Sequence, residues 1–233
     1  MKHHLQSRNV TAGALRSAVA AGLCCWALAG AAQGPAAAVA EVTLMVGEAV
    51  VFSVDGSSRA LSRGMAIHVG DRIQTGGNGH VHMRFTDKGA VSIRPDSNFE
   101  ILAFQFNQQD PRANEVRFRV DRGTARSISG AATEHDKSRF RLNTPIAAIG
   151  VRGTDFIVRS DVDGLRATVA DGTIVVGALG PGCAAQAVGP CRGADVRELS
   201  ADMGRLMAEV RAGDHVTRIL PAVPDDHAGD VDH

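Results

Sequence analysis

Two histidines, His80 and His82, stand two residues apart in an alternating stretch, so both side chains point to one face of a strand. Such a pair binds a metal ion when a neighbouring strand supplies a third ligand. No cysteine or carboxylate stands at ligand spacing nearby, so we predict no metal site here. The Asp- and His-rich stretch from Asp225 to His233 is predicted to be a solvated terminus rather than a chelating one.

Catalytic and cofactor-binding motifs have little support in this sequence. It lacks the Gly-x-Ser-x-Gly elbow of serine hydrolases. The segment from Gly150 to Thr154 lacks the lysine and the following helix of a phosphate-binding loop. Acids such as Asp155 and Asp171 fall at turns or strand starts, where Asp is common because it favours turn geometry. We therefore expect a protein that is not an enzyme and binds no cofactor.

The cysteines indicate a structural disulfide in an oxidising compartment. Cys24 and Cys25 lie in an apolar stretch near the N-terminus, and their loss with a leader would leave Cys183 and Cys191. These two stand near the ends of a Gly- and Pro-rich loop, residues 181–193, where a disulfide would hold the two ends of the loop together. A redox-active pair would more typically stand two residues apart at a helix N-terminus.

The N-terminal 40 residues have the three parts of a secretory leader. Lys2, Arg8 and Arg16 precede an apolar run, and a small-residue segment follows it. Cleavage before Glu41 is predicted from the small residues Ala38 and Ala40, with Ala31 or Ala32 as alternative cut sites. An uncleaved anchor is the competing interpretation, but the Ala- and Gly-rich run contributes little transfer energy.

Length and charge restrict the remaining function classes. The 233 residues allow one domain of about 150 to 200 residues with terminal appendages. Formal charge is zero overall, and residues 41–233 carry 22 basic against 25 acidic groups. This balance argues against a dedicated nucleic-acid binder.

The elements that would position these residues are short strands. Period-two alternation recurs from Val42 onward between Gly and Asp turn signals, and helical periodicity is nearly absent. Residues 130–138 form a polar interruption. The pattern predicts one all-β domain, either an antiparallel sandwich or roll or a short β-helix-like stack. Its exposed strand edges are potential docking sites for a partner.

Two sets of motifs resemble the FecR domain family. In the first half the stretch from Gly70 to Gly76, with Asp71 and Thr75, precedes a Phe-Thr-Asp strand end and an Ile-Arg-Pro-Asp-Ser segment. In the second half Thr144 and Pro145 precede a Gly-Val-Arg-Gly-Thr turn. That turn consists of Gly150, Val151, Arg152, Gly153 and Thr154. The resemblance spans roughly residues 46–221.

The resemblance implies an envelope sensor or scaffold domain, because FecR-type regulators relay a receptor's state through the periplasm to a sigma factor. At most 16 residues precede the apolar stretch, which leads us to expect no cytoplasmic sigma-binding domain. Residues 1–40 are thus predicted to be a signal peptide, 41–221 a FecR-like domain and 222–233 a disordered acidic tail.

Motif residues have local explanations as well. Gly150 and Gly153 permit unusual backbone angles and close strand approach, and Pro145 would fix a strand start. Arg152 satisfies local carbonyls or recognises an acidic partner. Arg117, Arg119, Arg122 and Arg126 would meet a polyanion if they share a face, or pair with the acidic C-terminal half.

The sequence favours two kinds of function. The first is an exported periplasmic binding or signalling module that docks a membrane protein or surface polymer. The second is a structural protein that supports assembly of the envelope or of a surface or secretion system. We expect no nucleic-acid partner, and we expect the mature protein not to span the membrane.

Overall fold

The computed structural model of the protein describes residues 37–222. The predicted leader up to residue 36 and the acidic tail from residue 223 lie outside the described residues. Strands dominate the described part, as predicted. In chain order they are β1 (Ala40–Val46), β2 (Ala49–Phe52), β3 (Ser58–Ala60), β4 (Ala66–Ile67), β5 (Arg72–Thr75), β6 (His80–Phe85), β7 (Ala90–Ile93), β8 (Asn98–Gln105), β9 (Glu115–Ile128), β10 (Phe140–Asn143), β11 (Ala147–Val151), β12 (Asp155–Ser160), β13 (Gly164–Asp171), β14 (Thr173–Ala178), β15 (Arg197–Ser200), β16 (Leu206–Arg211) and β17 (Arg218–Pro221).

The strands pair into two layers that share β9. The first layer runs β4-β1-β6-β7-β9-β12-β13-β16-β17. The second runs β3-β2-β5-β8-β9-β10-β11-β14-β15. Neighbours are antiparallel except β9 and β10, which are parallel. The predicted all-β fold is confirmed, as a two-layered sandwich whose layers β9 joins into one mixed sheet.

Strand β9 passes from one layer to the other at Gly123. Its first part, up to Arg122, pairs with β8 and its last part, from Gly123, with β12. Gly123 has a φ of +92°, and a Cβ there would collide with Ser97. Only glycine fits this crossing without strain. The residues on both sides of Gly123 thus belong to one continuous strand.

The hairpin β6–β7 shows how the local pattern produces the fold. Alternate residues Val81, Met83 and Phe85 are buried, whereas the residues between them face outward. The turn that follows places Lys88 at a φ of +71°, and the backbone N–H of Gly89 donates to Asp87 Oδ1 over 2.9 Å. The two strands and this turn form an antiparallel hairpin.

Aromatic side chains fill the space between the layers. Phe118 of β9 lies at the centre, with its ring centroid 5.1 Å from Phe85 of the first layer and 5.2 Å from Phe99 of the second. Phe140 continues the row edge to face and in turn contacts Phe156. The core thus joins strands from both halves of the chain.

A β-bulge in β1 decides which of its side chains enter the core. The pairing of β1 with β6 shifts register between Val42 and Leu44. Val42 is buried before the bulge, but Met45 turns inward after it, so that Leu44 and Val46 face solvent. One extra residue reverses the faces of a strand because side chains alternate with a period of two.

Helical structure is confined to short turns. In the described part of the chain it consists of four three-residue 3-10 turns. Two of them, Ala131–Thr133 and Lys137–Arg139, occupy the predicted polar interruption. Over residues 37–222 no helix has both the length and the apolar composition needed to cross a bilayer.

Candidate functional site

The first-half motif builds a turn ahead of β5. Gly70 has a φ of +87° and donates its N–H to the carbonyl of Ile101 over 2.8 Å. Asp71 is buried, and its Oδ2 accepts a hydrogen bond from the backbone N–H of His68 over 2.9 Å. These contacts tie the turn to β8, so Gly70 and Asp71 have local structural roles.

Thr75 and Gly76 join three segments at the other end of β5. The buried Thr75 hydroxyl donates to the carbonyl of Arg94 over 2.7 Å and accepts from the backbone N–H of Ser97 over 2.9 Å. Gly76 donates its N–H to the carbonyl of Glu48, 2.8 Å away. The motif therefore holds the segments after β1 and β7 against β5.

Thr144 and Pro145 form the turn between β10 and β11. The backbone N–H of Thr144 donates to the carbonyl of Ala147 over 2.8 Å, and the N–H of Ala147 donates to Thr144 Oγ1 over 3.1 Å. Pro145 is exposed in the middle of this turn, where its missing donor costs nothing. Pro145 was expected at a strand start; it lies two residues before β11, in the turn.

Gly150 and Gly153 are needed for different reasons. A Cβ on Gly150 would lie 2.6 Å from the Cα of Pro190, because the disulfide loop, residues 181–193, packs directly on β11. The prediction of an unusual backbone angle is wrong for Gly150, because its φ is not positive. Gly153 has a φ of +66°, while its missing Cβ would meet only Lys137 at 3.8 Å.

Val151, Arg152 and Thr154 complete the turn. Val151 is buried in the core, whereas Arg152 is exposed and its Nη2 lies 2.8 Å from Glu198 Oε1 of β15. The group that Arg152 pairs with is therefore a carboxylate of its own chain rather than a local carbonyl. Thr154 is buried and donates its N–H to Ser129 Oγ over 3.3 Å. A contact of these residues with a partner stays a prediction.

One residue of the first-half motifs meets the second-half turn at an open groove of about 480 Å³. Asp87 from the first half lines it together with Thr154, Asp155 and Asp171 from the second. Asp87 Oδ1 accepts from Gly89 and Oδ2 from Ala132, so this carboxylate holds the groove wall. Sequence reasoning missed this convergence, since nothing local links Asp87 to Thr154.

The disulfide loop covers the outer face of the second layer. Cys183 and Cys191 are bonded, as predicted, with their Cα atoms 4.8 Å apart. The loop lies over β10, β11 and β14, where Ala148, Gly150 and Gly177 leave room for it. These strands are buried on both faces, which explains why β10 and β11 contain only buried residues.

Arg141 fastens this loop, and sequence reasoning missed it. Its guanidinium is buried and donates to the carbonyls of Gly189 over 2.8 Å and Ala184 over 2.6 Å. Nε donates to Asn143 Oδ1, and the Asn143 amide in turn donates to the carbonyl of Ala185. Burial lowers the pKa of the Arg141 guanidinium. No local signal in the sequence shows that a loop covers Arg141.

The four arginines near β9 do not share a face. Arg117 and Arg119 lie on the second-layer part of β9, whereas Arg126 follows the crossing at Gly123 and lies in the first layer. Arg126 forms a two-point ion pair with Asp155, with N–O distances of 2.9 and 2.8 Å. Arg122 Nε donates to the carbonyl of Asp96. The condition for a polyanion-binding surface, that these four arginines share a face, is therefore not met, because the strand changes layers.

His80 and His82 do share a face of β6. Their ring centroids are 4.6 Å apart, and His82 Nδ1 lies 2.8 Å from Ser92 Oγ. Across residues 37–222, no group of three potential ligands among His, Cys, Asp and Glu comes close enough to hold a metal ion.

The part of strand β1 that follows Glu41 presents an edge without charge. Within the described residues, β4 pairs with β1 only at Ala40 and Glu41, which leaves the outer side of residues 43–46 without a strand partner. Leu44 is 43% exposed and Val46 53%. The other edge strands of three or more residues, β3, β15 and β17, each contain an arginine. Charges of this kind protect sheet edges from further pairing.

Comparison with known proteins finds a family that matches part of this chain. Residues 71–175 match the family described as FecR protein. Among solved structures, a cell surface anchoring domain is 35% identical over 27% of this chain and 82% of its own, with a TM-score of 0.26. No curated protein matches the chain.

Two crystal structures of a protein described as an anti-sigma factor from Parabacteroides distasonis are also similar. Each is 12% identical over 65% of this chain and 59% of its own, with TM-scores of 0.46 and 0.45. The chain thus spans about three fifths of the length of those proteins.

Proposed function

We propose that this chain, whose residues 71–175 form a FecR domain, is an exported binding module of the bacterial cell envelope that docks a partner along the open edge of β1. The export part of the proposal is supported by the leader-like N-terminal sequence and by the disulfide between Cys183 and Cys191, since such bonds persist in oxidising compartments.

The uncharged edge of β1 is the observation that carries the docking proposal. From Val42 to Val46 this strand has neither charge nor proline, and its bulge turns Leu44 and Val46 outward. An open edge binds an extended segment by main-chain hydrogen bonds, and exposed side chains beside it add specificity. This favours a protein segment, such as part of a membrane protein, over a surface polymer.

A pull-down from envelope extract tests the proposal. The double variant Leu44→Lys with Val46→Lys places charges on the edge, and we expect it to lose the protein that the wild type captures. Val162→Lys serves as the matched control, because Val162 is 88% exposed and lies in the turn before β13. All three proteins should show the same thermal midpoint, since the changed side chains lie outside the core.

Amide hydrogen exchange provides the second measurement. In the complex, amides of residues 43–46 should exchange more slowly than in the free protein, because a partner strand would satisfy them. Equal capture by the edge variant and the wild type would contradict the proposed site. Failure of the wild type to capture any envelope component would contradict the docking function itself.

A structural role in assembly of the envelope, or of a surface or secretion system, would use the same edge. The identity of the captured protein separates the two functions. A receptor supports signalling, whereas a secreted or surface-layer subunit supports assembly. Neighbouring genes give an independent indication in the same terms.

A further inference from the structure

The folded domain includes residues that precede the predicted cleavage point between Ala40 and Glu41. Val39 and Ala40 are 9% and 4% exposed and belong to the main hydrophobic core. The backbone N–H of Val39 donates to the carbonyl of Ile67 over 2.8 Å, and its carbonyl accepts from the N–H of Thr86 over 3.0 Å. A cut before Glu41 would remove both residues and both hydrogen bonds.

The short strand β4 depends on the same two residues. It pairs with β1 at only two positions, Ala40 with Ile67 and Glu41 with Ala66. Ile67 is fully buried, so its backbone carbonyl needs the donor that Val39 supplies. A cut before Glu41 would also place a new ammonium group opposite Arg84 of β6. Two positive charges facing each other across a strand pair destabilise it.

The leader contains small residues at suitable spacing farther upstream. Ala29 and Ala31, or Gly30 and Ala32, satisfy the same requirement for small side chains as Ala38 and Ala40. We infer that the leader is cut after Ala31 or Ala32, so that Val39 and Ala40 remain in the mature protein as the start of β1. This inference rests on the proposed export of the chain.

Ala38 allows the two sites to be separated without disturbing the fold. It occupies the third position before the downstream cut, but its side chain is exposed in the folded domain. Ala38→Gln therefore blocks the downstream site alone. Ala31→Gln combined with Ala32→Gln blocks both upstream sites, and both residues precede the part of the chain that the structure describes.

N-terminal sequencing and intact mass of the full-length gene product, isolated from the periplasm, test the inference. We expect the wild type and Ala38→Gln to begin at Ala32 or Gln33 with equal yields. The Ala31→Gln, Ala32→Gln variant should lose that product. A wild-type N-terminus at Val39 or Glu41, or loss of processing in Ala38→Gln, would overturn the inference while leaving export intact.

Two further outcomes distinguish this inference from the proposed function. An unprocessed wild-type chain anchored in the envelope would overturn the cut but not the docking proposal, and an unprocessed chain in the cytoplasm would overturn both. Failure of the pull-down with a mature chain that begins at Gln33 would overturn docking alone.

Thermal unfolding provides a readout that does not depend on the peptidase. Mature proteins that begin at Gln33 and at Glu41, each exported behind the same foreign leader, are compared by circular dichroism. Loss of Val39 and Ala40 should lower the melting temperature by at least about 5 °C in a domain of this size. Equal melting temperatures would show that the fold does not need these residues and would contradict the inference.

Discussion

Single residues of the family motifs support the fold by distinct physical means. Gly150 makes room for Pro190 of the disulfide loop, whereas Gly153 adopts a φ of +66° that most side chains disfavour. The Thr75 hydroxyl donates to the carbonyl of Arg94, and the Thr154 backbone N–H donates to Ser129 Oγ. Arg152 differs from them, because it is exposed and forms an ion pair with Glu198 at the surface.

These differences predict unequal effects of substitution. Gly150→Val should destabilise most, because Pro190 backbone atoms occupy the space that a Cβ needs. Gly153→Ala should cost about 1–3 kcal/mol of unfolding free energy through backbone strain alone. Arg152→Ala is the control and should cost at most about 1 kcal/mol, since exposed ion pairs contribute little. Urea unfolding followed by circular dichroism measures all three.

The explanation for Gly150 has its own check. In a Cys183→Ser, Cys191→Ser background the loop can move away from β11, so the penalty of Gly150→Val should shrink. A penalty as large as in the disulfide-bonded protein would show that contact with Pro190 is not its cause.

At the scale of elements, the disulfide loop works as a cap on the second layer. A sheet that is hydrophobic on one face normally leaves its other face to water, but β10, β11 and β14 are covered on both. The cover is held covalently by Cys183–Cys191 and by hydrogen bonds from Arg141 to loop carbonyls. Without the cap, a buried guanidinium and a face of small residues would be exposed.

Removal of the disulfide should therefore weaken the cap and the strands beneath it. For cysteines eight residues apart, Cys183→Ser with Cys191→Ser should lower the unfolding free energy by about 2–3 kcal/mol. Exchange should accelerate more for amides of β11 and β14 than for those of β6 and β7 in the other layer, because the strands beneath the loop also open locally. Reductant should reproduce the effect in the wild type.

Unchanged stability on reduction would contradict this role of the disulfide. Uniform acceleration of exchange in both layers would instead show that the loop stabilises the whole domain and not one face. Intact mass before and after reduction and alkylation confirms which bond has been opened.

At the scale of the molecule, one core joins the two halves of the chain. Phe118 contacts Phe85 and Phe99 from the first half and Phe140 from the second. The strand that carries it, β9, belongs to both layers. The sandwich should therefore unfold as one cooperative unit rather than layer by layer.

Phe118→Ala tests this cooperativity. Truncation of a fully packed phenylalanine should cost about 3–5 kcal/mol and shift a single unfolding transition without splitting it. The sequence has one tryptophan, Trp26, which precedes the described residues, and no tyrosine, so far-UV circular dichroism and hydrogen exchange are the suitable probes. Two separate transitions would contradict a single core. The edge variant Leu44→Lys with Val46→Lys should melt like the wild type, because those side chains lie outside it.

The sequence alone determined the local features of this protein. Alternation located most of the strands and identified the inward residues of β6 and β9, and Asp-Gly and Lys-Gly pairs located the turns. The loop disulfide and the family resemblance also came from short segments. Each of these features depends on residues close together in the chain, which is why a single sequence suffices to predict them.

Only the tertiary structure decided what lies against each strand. Alternation shows that Arg141 and Gly150 face outward, but not that the disulfide loop covers them. Nor does it show that the bulge in β1 turns Leu44 toward solvent, or that β9 changes layers and separates Arg126 from Arg117. These outcomes depend on pairing between distant segments, and a one-residue shift in pairing reverses every side chain that follows.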